Sequence, residues 1–397
     1  MKILMLVPFL PNIRTSGGQT RWFNIIKYLS IEHDITLFSL IKDRSEREFI
    51  PPLEKYCKKV RVFPRSKTPW TLGNVLKTGF GKYPFLVVRN LSIEEKKAIE
   101  EELESEKYDL IHAETFYVMP HIPDTSVPSV LVEQTIEYEV YRHYVLNEAP
   151  LMLRPVLMLD VFKLRFWEKF FWKKADVLVA VSPDDKKVMQ GLIPGVKVDV
   201  IPNGVDAKHY TSKKVSKKSP PRVLYGVSNF EWLQNAEAAN YLIEEVWPVV
   251  QRKVSEAKLW FAGRKIPQHI VNLSKERDDI EITESIPDSR DAYLGATVMT
   301  APIYGSGGTR LKILEAMAAG LPVISTPIGV AGLGVKHGRD VLIADSTKSL
   351  ASHTIDLLMN PKKAKNIGKS GQDFIKDHFD WPSIVKLHDP IYKKALK

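Results

Sequence analysis

Short apolar runs alternate with helix-like stretches along the first half of the chain. The apolar runs lie at residues 3–8, 35–40, 110–112 and 130–132, and residues 20–30 show the apolar spacing of a helix. This alternation predicts a parallel sheet covered by helices, which is an α/β fold. Open sheets of this kind bind ligands at the carboxyl ends of their strands, so polar residues that follow an apolar run are candidates for a site.

The alternation breaks near residue 202 and then resumes. A turn-forming cluster at 202–206 and a lysine-rich stretch at 211–221 mark the break. We therefore predict two Rossmann-like, doubly wound parallel-sheet domains at 1–202 and 203–375. A C-terminal helix at 376–397 is expected to pack back on the first domain. The later apolar runs lie at 177–181, 198–201, 222–226, 258–262, 280–283, 297–301 and 322–325.

The composition is that of a folded globular protein with an anionic partner. Of the 397 residues 44% are hydrophobic and 26% are charged, and the net charge of +10 favours a phosphate-bearing ligand. The basic residues are scattered among linker, helix and loop, so nucleic acid is not an expected partner. Cys57 is the single cysteine. A single cysteine excludes an internal disulfide and a cysteine-based metal cluster, and the low cysteine content fits a cytoplasmic location.

Two segments bear on membrane contact. Residues 316–335 are uncharged, but glycines and prolines interrupt them repeatedly, so we do not expect a membrane-spanning helix there. Residues 161–174 combine six aromatic side chains with lysine and arginine. This composition suits a helix on the anionic inner face of a membrane, and it also suits a core helix with one basic solvated face. Peripheral membrane contact therefore stays an open alternative.

A glycine-rich loop precedes a predicted helix that ends at Gly320. Gly307, Gly308 and Thr309 would let backbone N–H groups approach a phosphate at the start of this helix. Arg310 and Lys312 would add two cations. Positions two apart diverge on a helix, so both reach one ligand only if Arg310 lies on the loop or in the first turn.

Glu315 follows one turn later on the same predicted helix. Its carboxylate could accept hydrogen bonds from the hydroxyls of a ribose. The alternative is that Arg310, Lys312 and Glu315 are surface charges on an amphipathic helix whose apolar stripe contains Leu311 and Leu314.

Further candidates follow the strands predicted in the first domain. Gly17 and Gly18 form a second glycine pair at a predicted helix start, where a plain turn is as probable as a ligand loop. His112 and Glu114 end one strand. Glu133 and Glu137 follow the next one, and a solvent-facing position at a helix start is the simpler interpretation for both.

These motifs resemble the retaining glycosyltransferases of the GT-B fold, family 4, also called group 1. The resemblance is carried by the Gly17-Gly18 loop, the linker at 201–206 and the block at 307–323, and it extends over nearly the whole chain. It implies two Rossmann-like domains facing each other across a cleft. It also implies transfer of a hexose from a UDP- or GDP-linked donor to a hydroxyl of a glycan, a lipid-linked acceptor or a small molecule, as in polysaccharide biosynthesis.

The resemblance assigns roles to individual residues. Glu315 matches the second, ribose-binding glutamate of the family's Glu-x7-Glu motif, and Gly307 stands where the first glutamate is expected. The family's sugar-contacting histidine falls at Glu114, so either Glu114 or His112 would contact the sugar or the acceptor, with Glu137 as a further acceptor candidate. In the family an Arg and a Lys usually follow the first strand of the second domain. They are missing from the matching stretches here, 226–230 and 234–235. Arg310 and Lys312 would replace their charge.

The reaction that the resemblance implies needs no metal and no bound cofactor. The sequence has no Asp-x-Asp pair and no His/Asp cluster with metal-ligand spacing. A second hypothesis follows from Gly307 and Glu114, which depart from the family's pattern. It is a catalytically inactive GT-B protein that binds a nucleotide or a glycan.

Overall fold

The computed structural model describes residues 1–13, 17–68, 70–213, 220–304 and 311–397. The chain forms two compact units, Met1–Pro202 with Ile384–Lys397, and Asn203–Ser383. The chain thus returns to the first unit at Ile384 and not at residue 376. Backbone pairing explains the later return, because Val205 N–H donates to Phe379 O at 2.8 Å and Trp381 N–H donates to Val205 O at 3.2 Å.

The first unit contains a seven-stranded parallel sheet in the order β3-β2-β1-β4-β5-β6-β7. Its inner strands are mostly apolar and buried on both faces, as expected for a sheet covered by helices. The strands are β1 (Lys2–Val7), β2 (Asp34–Ile41), β3 (Lys59–Pro64), β4 (Leu110–Glu114), β5 (Ser129–Glu133), β6 (Val177–Ala180) and β7 (Val198–Val200).

Helices connect these strands, and local sequence sets several of their starts. Ser92 caps α5 by accepting from Glu95 N, and Ser182 caps α8, which has proline in its first turn. The helices are α1 (Gly17–Leu29), α2 (Ile50–Glu54), α3 (Leu72–Phe80), α4 (Phe85–Val88), α5 (Ile93–Ser105), α6 (Glu137–Asn147), α7 (Arg154–Lys174) and α8 (Pro183–Leu192).

The second unit contains a six-stranded parallel sheet in the order β10-β9-β8-β11-β12-β13. Its strands are β8 (Arg222–Asn229), β9 (Lys258–Arg264), β10 (Ile280–Glu284), β11 (Val298–Ala301), β12 (Val323–Ser325) and β13 (Leu342–Ile343). Its helices are α9 (Ala207–Thr211), α10 (Leu233–Tyr241), α11 (Trp247–Gln251), α12 (Gln268–Glu276), α13 (Ser289–Gly295), α14 (Leu311–Ala318), α15 (Thr347–Met359) and α16 (Pro361–His378). The chain ends with α17 (Trp381–Val385) and α18 (His388–Ala395), which replace the single helix predicted at 376–397.

The predicted α/β class with two Rossmann-like parallel sheets is confirmed. The sequence missed β3 and β13, which are edge strands. β3 mixes Lys59 and Arg61 with apolar residues, and β13 is two residues long, so neither gives the continuous apolar run of a central strand. In each sheet the strand order reverses next to the first strand, at β1/β4 and at β8/β11. Ligands of doubly wound sheets bind at such a point.

Candidate active site

Lys312 holds its ammonium group at the carboxyl end of β8. Its Nζ lies 2.7 Å from Asn235 Oδ1, 2.9 Å from Ser228 Oγ and 3.0 Å from the Tyr225 hydroxyl oxygen. The same nitrogen is 4.1 Å from the centre of the Tyr225 ring. None of these three partners carries a negative charge. They orient the positive charge of Lys312 at the ligand-binding end of the sheet without neutralising it.

Gly226 leaves the space through which Lys312 reaches β8. It has a φ of 119° and lies at an irregularity in strand register between Leu224 and Val227. A Cβ at this position would lie 3.0 Å from Met299 Cε and 3.2 Å from Lys312 Cδ. Glycine is therefore required both by the backbone conformation and by the close approach of the lysine.

A cavity of about 210 Å³ adjoins this ammonium group within the second unit. Its wall is mixed, with aromatic rings, amides, one cation and the carboxylate of Glu237, a lining typical of sites that bind small polar ligands. The wall continues beyond β11 to Tyr304, after which residues 305–310 lie outside the described part of the chain. The lining residues are Tyr225, Gln234, Asn235, Glu237, Ala238, Tyr241, Pro302, Ile303, Tyr304 and Lys312.

Glu315 lies one turn after Lys312 on α14. Its Oε2 accepts a hydrogen bond from the Tyr293 hydroxyl at 2.9 Å. Burial raises the pKa of the Glu315 carboxyl, and the hydroxyls of Tyr293 and Tyr210 and the charge of Lys312 oppose that shift. The carboxyl group is thus positioned by two tyrosines at the same end of the sheet as Lys312. Four predicted donor residues, Gly307, Gly308, Thr309 and Arg310, lie outside the described residues.

In the first unit, Glu114 is the centre of a buried hydrogen-bond network at the end of β4. Its Oε2 accepts from Trp22 Nε1 at 2.8 Å and from Gln134 Nε2 at 3.0 Å. Its Oε1 lies 3.1 Å from His112 Nε2. Burial raises the pKa of Glu114, but the hydrogen bond from His112 and the charge of Arg21 outweigh it, so the pKa of this carboxyl is lowered.

His112 links this network to the C-terminal helix. An ionised carboxylate only accepts, so Nε2 donates to Glu114, and Nδ1 lies 2.6 Å from the Tyr392 hydroxyl oxygen. The His112 ring also stacks on His388, with centroids 5.7 Å apart. Residues on α18 therefore fix the orientation of the imidazole.

Gly17 and Gly18 begin α1 beside the same network. A Cβ on Gly18 would lie 3.0 Å from Gln134 Oε1, so the helix start lies close against the amide that bonds Glu114. Four residues later in the chain, the buried Arg21 donates to Pro202 O at 2.9 Å and to Ile201 O at 3.2 Å. The start of α1 is thus tied to the ends of both β4 and β7.

Glu133 and Glu137 differ from the solvent-facing positions favoured by the sequence. Glu133 is buried, and its Oε1 accepts from Phe116 N at 3.1 Å and from Trp172 Nε1 at 3.0 Å. Burial, with the neighbouring charge of Glu168, raises its pKa well above the usual range. Glu137 is half-buried, and burial raises its pKa to about 7.

Family models match both halves of the chain. One, described as Glycosyltransferase Family 4, matches residues 15–209, and the other, described as Glycosyl transferases group 1, matches residues 221–360. Together they cover most of both units. The chain belongs to the group 1, family 4 glycosyltransferases.

Two relatives illustrate the range of this glycosyltransferase family. An uncharacterized 44.6 kDa protein in the cps region of Klebsiella pneumoniae is 22% identical, over 99% of each chain. The N-acetyl-alpha-D-glucosaminyl L-malate synthase of Bacillus anthracis is 23% identical, over 58% of this chain and 62% of that enzyme.

Solved structures of other proteins share the fold of this glycosyltransferase. Sucrose-phosphate synthase from Thermosynechococcus elongatus superposes with a TM-score of 0.71 at 18% identity, covering 99% of this chain and 98% of that one. Anabaena HepE, solved in complex with UDP-glucose, superposes with a TM-score of 0.61 at 16% identity, covering 99% of each chain. Together with the two parallel sheets, these neighbours show the GT-B fold.

Sequence reasoning about this glycosyltransferase missed the residues that hold the candidate groups. These residues include Tyr225, Tyr293, Trp22 and Tyr392, which are aromatic residues that pattern alone assigns to a core. Asn235 lies in the stretch where the family's Arg and Lys are missing. The structure shows that Lys312 Nζ lies against this very stretch.

Two further features of the glycosyltransferase concern metals and membranes. Tertiary packing brings ligand atoms of Glu32, His33 and Asp389 within 4.8 Å of one another, a grouping that no spacing in the sequence reveals. His33 and Asp389 already pair there at 3.7 Å. Among the described residues, no helix is both long enough and apolar enough to cross a bilayer.

Proposed function

We propose that this glycosyltransferase transfers a hexose, with retention and without a metal, from a UDP- or GDP-linked sugar. The proposed acceptor is a hydroxyl group of a glycan, a lipid-linked molecule or a small molecule. The observation that carries the proposal is Lys312, whose ammonium is held by Tyr225, Ser228 and Asn235 where the strand order reverses. A diphosphate is the ligand chemistry that a cation at this place suits.

The known proteins support the donor class. HepE was solved with UDP-glucose, and the Bacillus anthracis relative is named as an N-acetyl-alpha-D-glucosaminyl L-malate synthase. In this chain Glu315 would accept hydrogen bonds from the ribose, one helical turn from the cation. Its half-buried carboxyl is held by Tyr293, which fixes one oxygen and leaves the other to a ligand or to Tyr210.

The proposed chemistry is electrostatic. Negative charge grows on the diphosphate as the bond to the sugar breaks, and Lys312 would stabilise that charge more strongly in the transition state than in the bound donor. Arg310 and the backbone N–H groups of Gly307 to Thr309 are proposed to add to this stabilisation. The carboxylate oxygens of Glu114 accept three donors, so we propose that Glu114 and His112 hold the Gly17-Gly18 end of α1 in a fixed position to bind the sugar.

The acceptor side of the proposal rests on Glu137. A carboxyl group with a pKa near 7 is suited to take a proton from an attacking hydroxyl at neutral pH. Glu137 lies at the start of α6, where its carboxyl also contacts the Tyr117 hydroxyl.

Calorimetric titration with UDP, GDP and their hexose conjugates, in the presence of EDTA, tests the donor site. Lys312→Met should weaken the binding of the preferred nucleotide at least about tenfold, the loss expected for one charge-assisted hydrogen bond. Lys365→Met, which changes an exposed lysine on α16, is the matched control and should bind as the wild type does. Binding to none of these nucleotides, or equal binding by both variants, would overturn the proposal.

A further inference from the structure

The outer face of α7 exposes a stripe of apolar side chains. Phe162 and Phe166 are 59% and 62% exposed, whereas Phe171 on the inner face is 3% exposed. The helix thus packs one aromatic set into the core and presents another to solvent. The exposed stripe and the turn before it comprise Leu151, Met152, Leu153, Val156, Leu159, Phe162, Phe166 and Phe170.

A second apolar face lies on α3, and Lys163 joins it to α7. Lys163 Nζ donates to Thr78 O at 2.6 Å and to Gly81 O at 2.7 Å, at the C-terminal end of α3. Phe80, between these two carbonyls, is 91% exposed. The two faces therefore form one surface, which we call the α3/α7 surface. On the α3 side it adds Trp70, Leu72, Val75, Leu76 and Phe80.

Basic residues predominate around the α3/α7 surface, although the exposed Glu148 lies just before Leu151. Residues 55–93 contain no Asp or Glu, and the two acidic residues of α7, Asp160 and Glu168, are both buried. Among the described residues, no carboxylate pairs with the cations that border the apolar side chains. These cations are Lys77, Lys82, Arg165, Lys169 and Lys173.

We propose that the α3/α7 surface docks this glycosyltransferase onto a bilayer that contains anionic lipid. Exposed phenylalanines and leucines would enter the boundary between head groups and acyl chains, and the lysines would contact acidic head groups. A second copy of the chain fits less well, because a two-fold contact would bring the same cations together. The sequence indicated only the segment 161–174, and the structure adds residues 70–80 and 151–160 to it. This proposal does not depend on the proposed donor site.

Sedimentation with lipid vesicles tests the docking surface on the full chain. Vesicles of phosphatidylcholine mixed with phosphatidylglycerol should bind the wild type, and vesicles of phosphatidylcholine alone should bind it more weakly. The double variant Phe80→Ser/Phe166→Ser should lower the partition coefficient at least about tenfold, because two large apolar side chains no longer enter the bilayer. Raising the salt concentration should release the wild type, since the lysines contribute through electrostatic attraction.

The matched control is Ile31→Ser/Met359→Ser, which changes two exposed apolar residues away from this surface. It should bind the mixed vesicles as the wild type does, and circular dichroism should show that all variants remain folded. No binding of the wild type to mixed vesicles, or equal loss in both double variants, would overturn the proposal. Concentration-dependent dimers that the Phe80→Ser/Phe166→Ser variant abolishes, without vesicle binding, would assign the surface to a second copy instead.

Discussion

Lys312 Nζ lies 2.7 Å from Asn235 Oδ1, although 77 residues separate the two in sequence. The contact brings the only described cation of the glycine-rich block to the stretch where the family's basic pair is missing. The contact offers a physical reason why the chain lacks the family's Arg and Lys after β8, because the lysine from α14 supplies a positive charge there.

Asn235→Asp should weaken the binding of the donor nucleotide. The substitution keeps the shape of the side chain but places a carboxylate against the Lys312 ammonium, so less positive charge remains for a diphosphate. We expect a loss of about tenfold or more in affinity, measured by calorimetry. Asn366→Asp, an exposed position on α16, is the control for the added charge. Unchanged affinity in Asn235→Asp would contradict a role for Lys312 in the donor site.

Gly226→Ala should both destabilise the second unit and impair the site. The Cβ would require an unfavourable φ and would press on Met299 and Lys312, which we expect to cost about 1–3 kcal/mol. Gly191→Ala is a useful comparison, since Gly191 lies inside α8 with nothing within 4 Å of the added Cβ. That change should stabilise the protein by about 0.5–1 kcal/mol. Urea unfolding measures both, and similar effects from the two substitutions would argue against the proposed crowding.

Glu95 should make the protein less stable as the pH rises. It is buried on α5, and within the described residues neither carboxylate oxygen has a hydrogen-bond partner. The neighbouring His121 Nε2, 3.5 Å away, accepts from Ser92 N and has no proton to give. Burial raises the pKa of Glu95 to about 8.

The folded state therefore holds a proton on Glu95 that the unfolded state releases above pH ~4.5. The contribution of the protonated Glu95 carboxyl to the free energy of unfolding is fully present below that pH. It is lost as the pH rises through about 8. Glu95→Gln should raise the free energy of unfolding by roughly 3–5 kcal/mol at pH 8.5 and much less at pH 5. Glu104→Gln, exposed on the same helix, should show no such trend in urea titrations. An effect of Glu95→Gln that does not depend on pH would refute the assignment.

Glu114→Gln should destabilise the first unit. The amide cannot balance the buried charge of Arg21, and its NH₂ group faces donors from Trp22, His112 or Gln134, so we expect a loss of about 2–4 kcal/mol. The pKa of Glu114 is lowered, so its contribution is present above the usual carboxyl pKa and disappears in acid. The difference between wild type and variant should therefore shrink toward low pH in thermal unfolding. Glu148→Gln, an exposed change after α6, provides the control.

The alternation of apolar runs was enough to predict the fold class. Strands such as β1 and β6 are buried on both faces and carry uninterrupted apolar runs, at 3–7 and 177–180, so they can be recognised one segment at a time. The glycine-rich block with Lys312 and Glu315 could be found for a similar reason. Glycines near a helix start and charged residues at close spacing are local features, and a resemblance to a known family can be recognised from them.

Two parallel sheets, the family and a set of candidate residues can thus be predicted from the linear sequence. The residues that hold those candidates in place become visible only in the folded chain. Asn235 and Ser228 meet Lys312, Tyr392 meets His112, and Lys163 joins α3 to α7, each across a long separation in sequence. Such contacts depend on the order of strands in a sheet and on which helix faces meet. A one-dimensional pattern records the burial of each segment but not its neighbours.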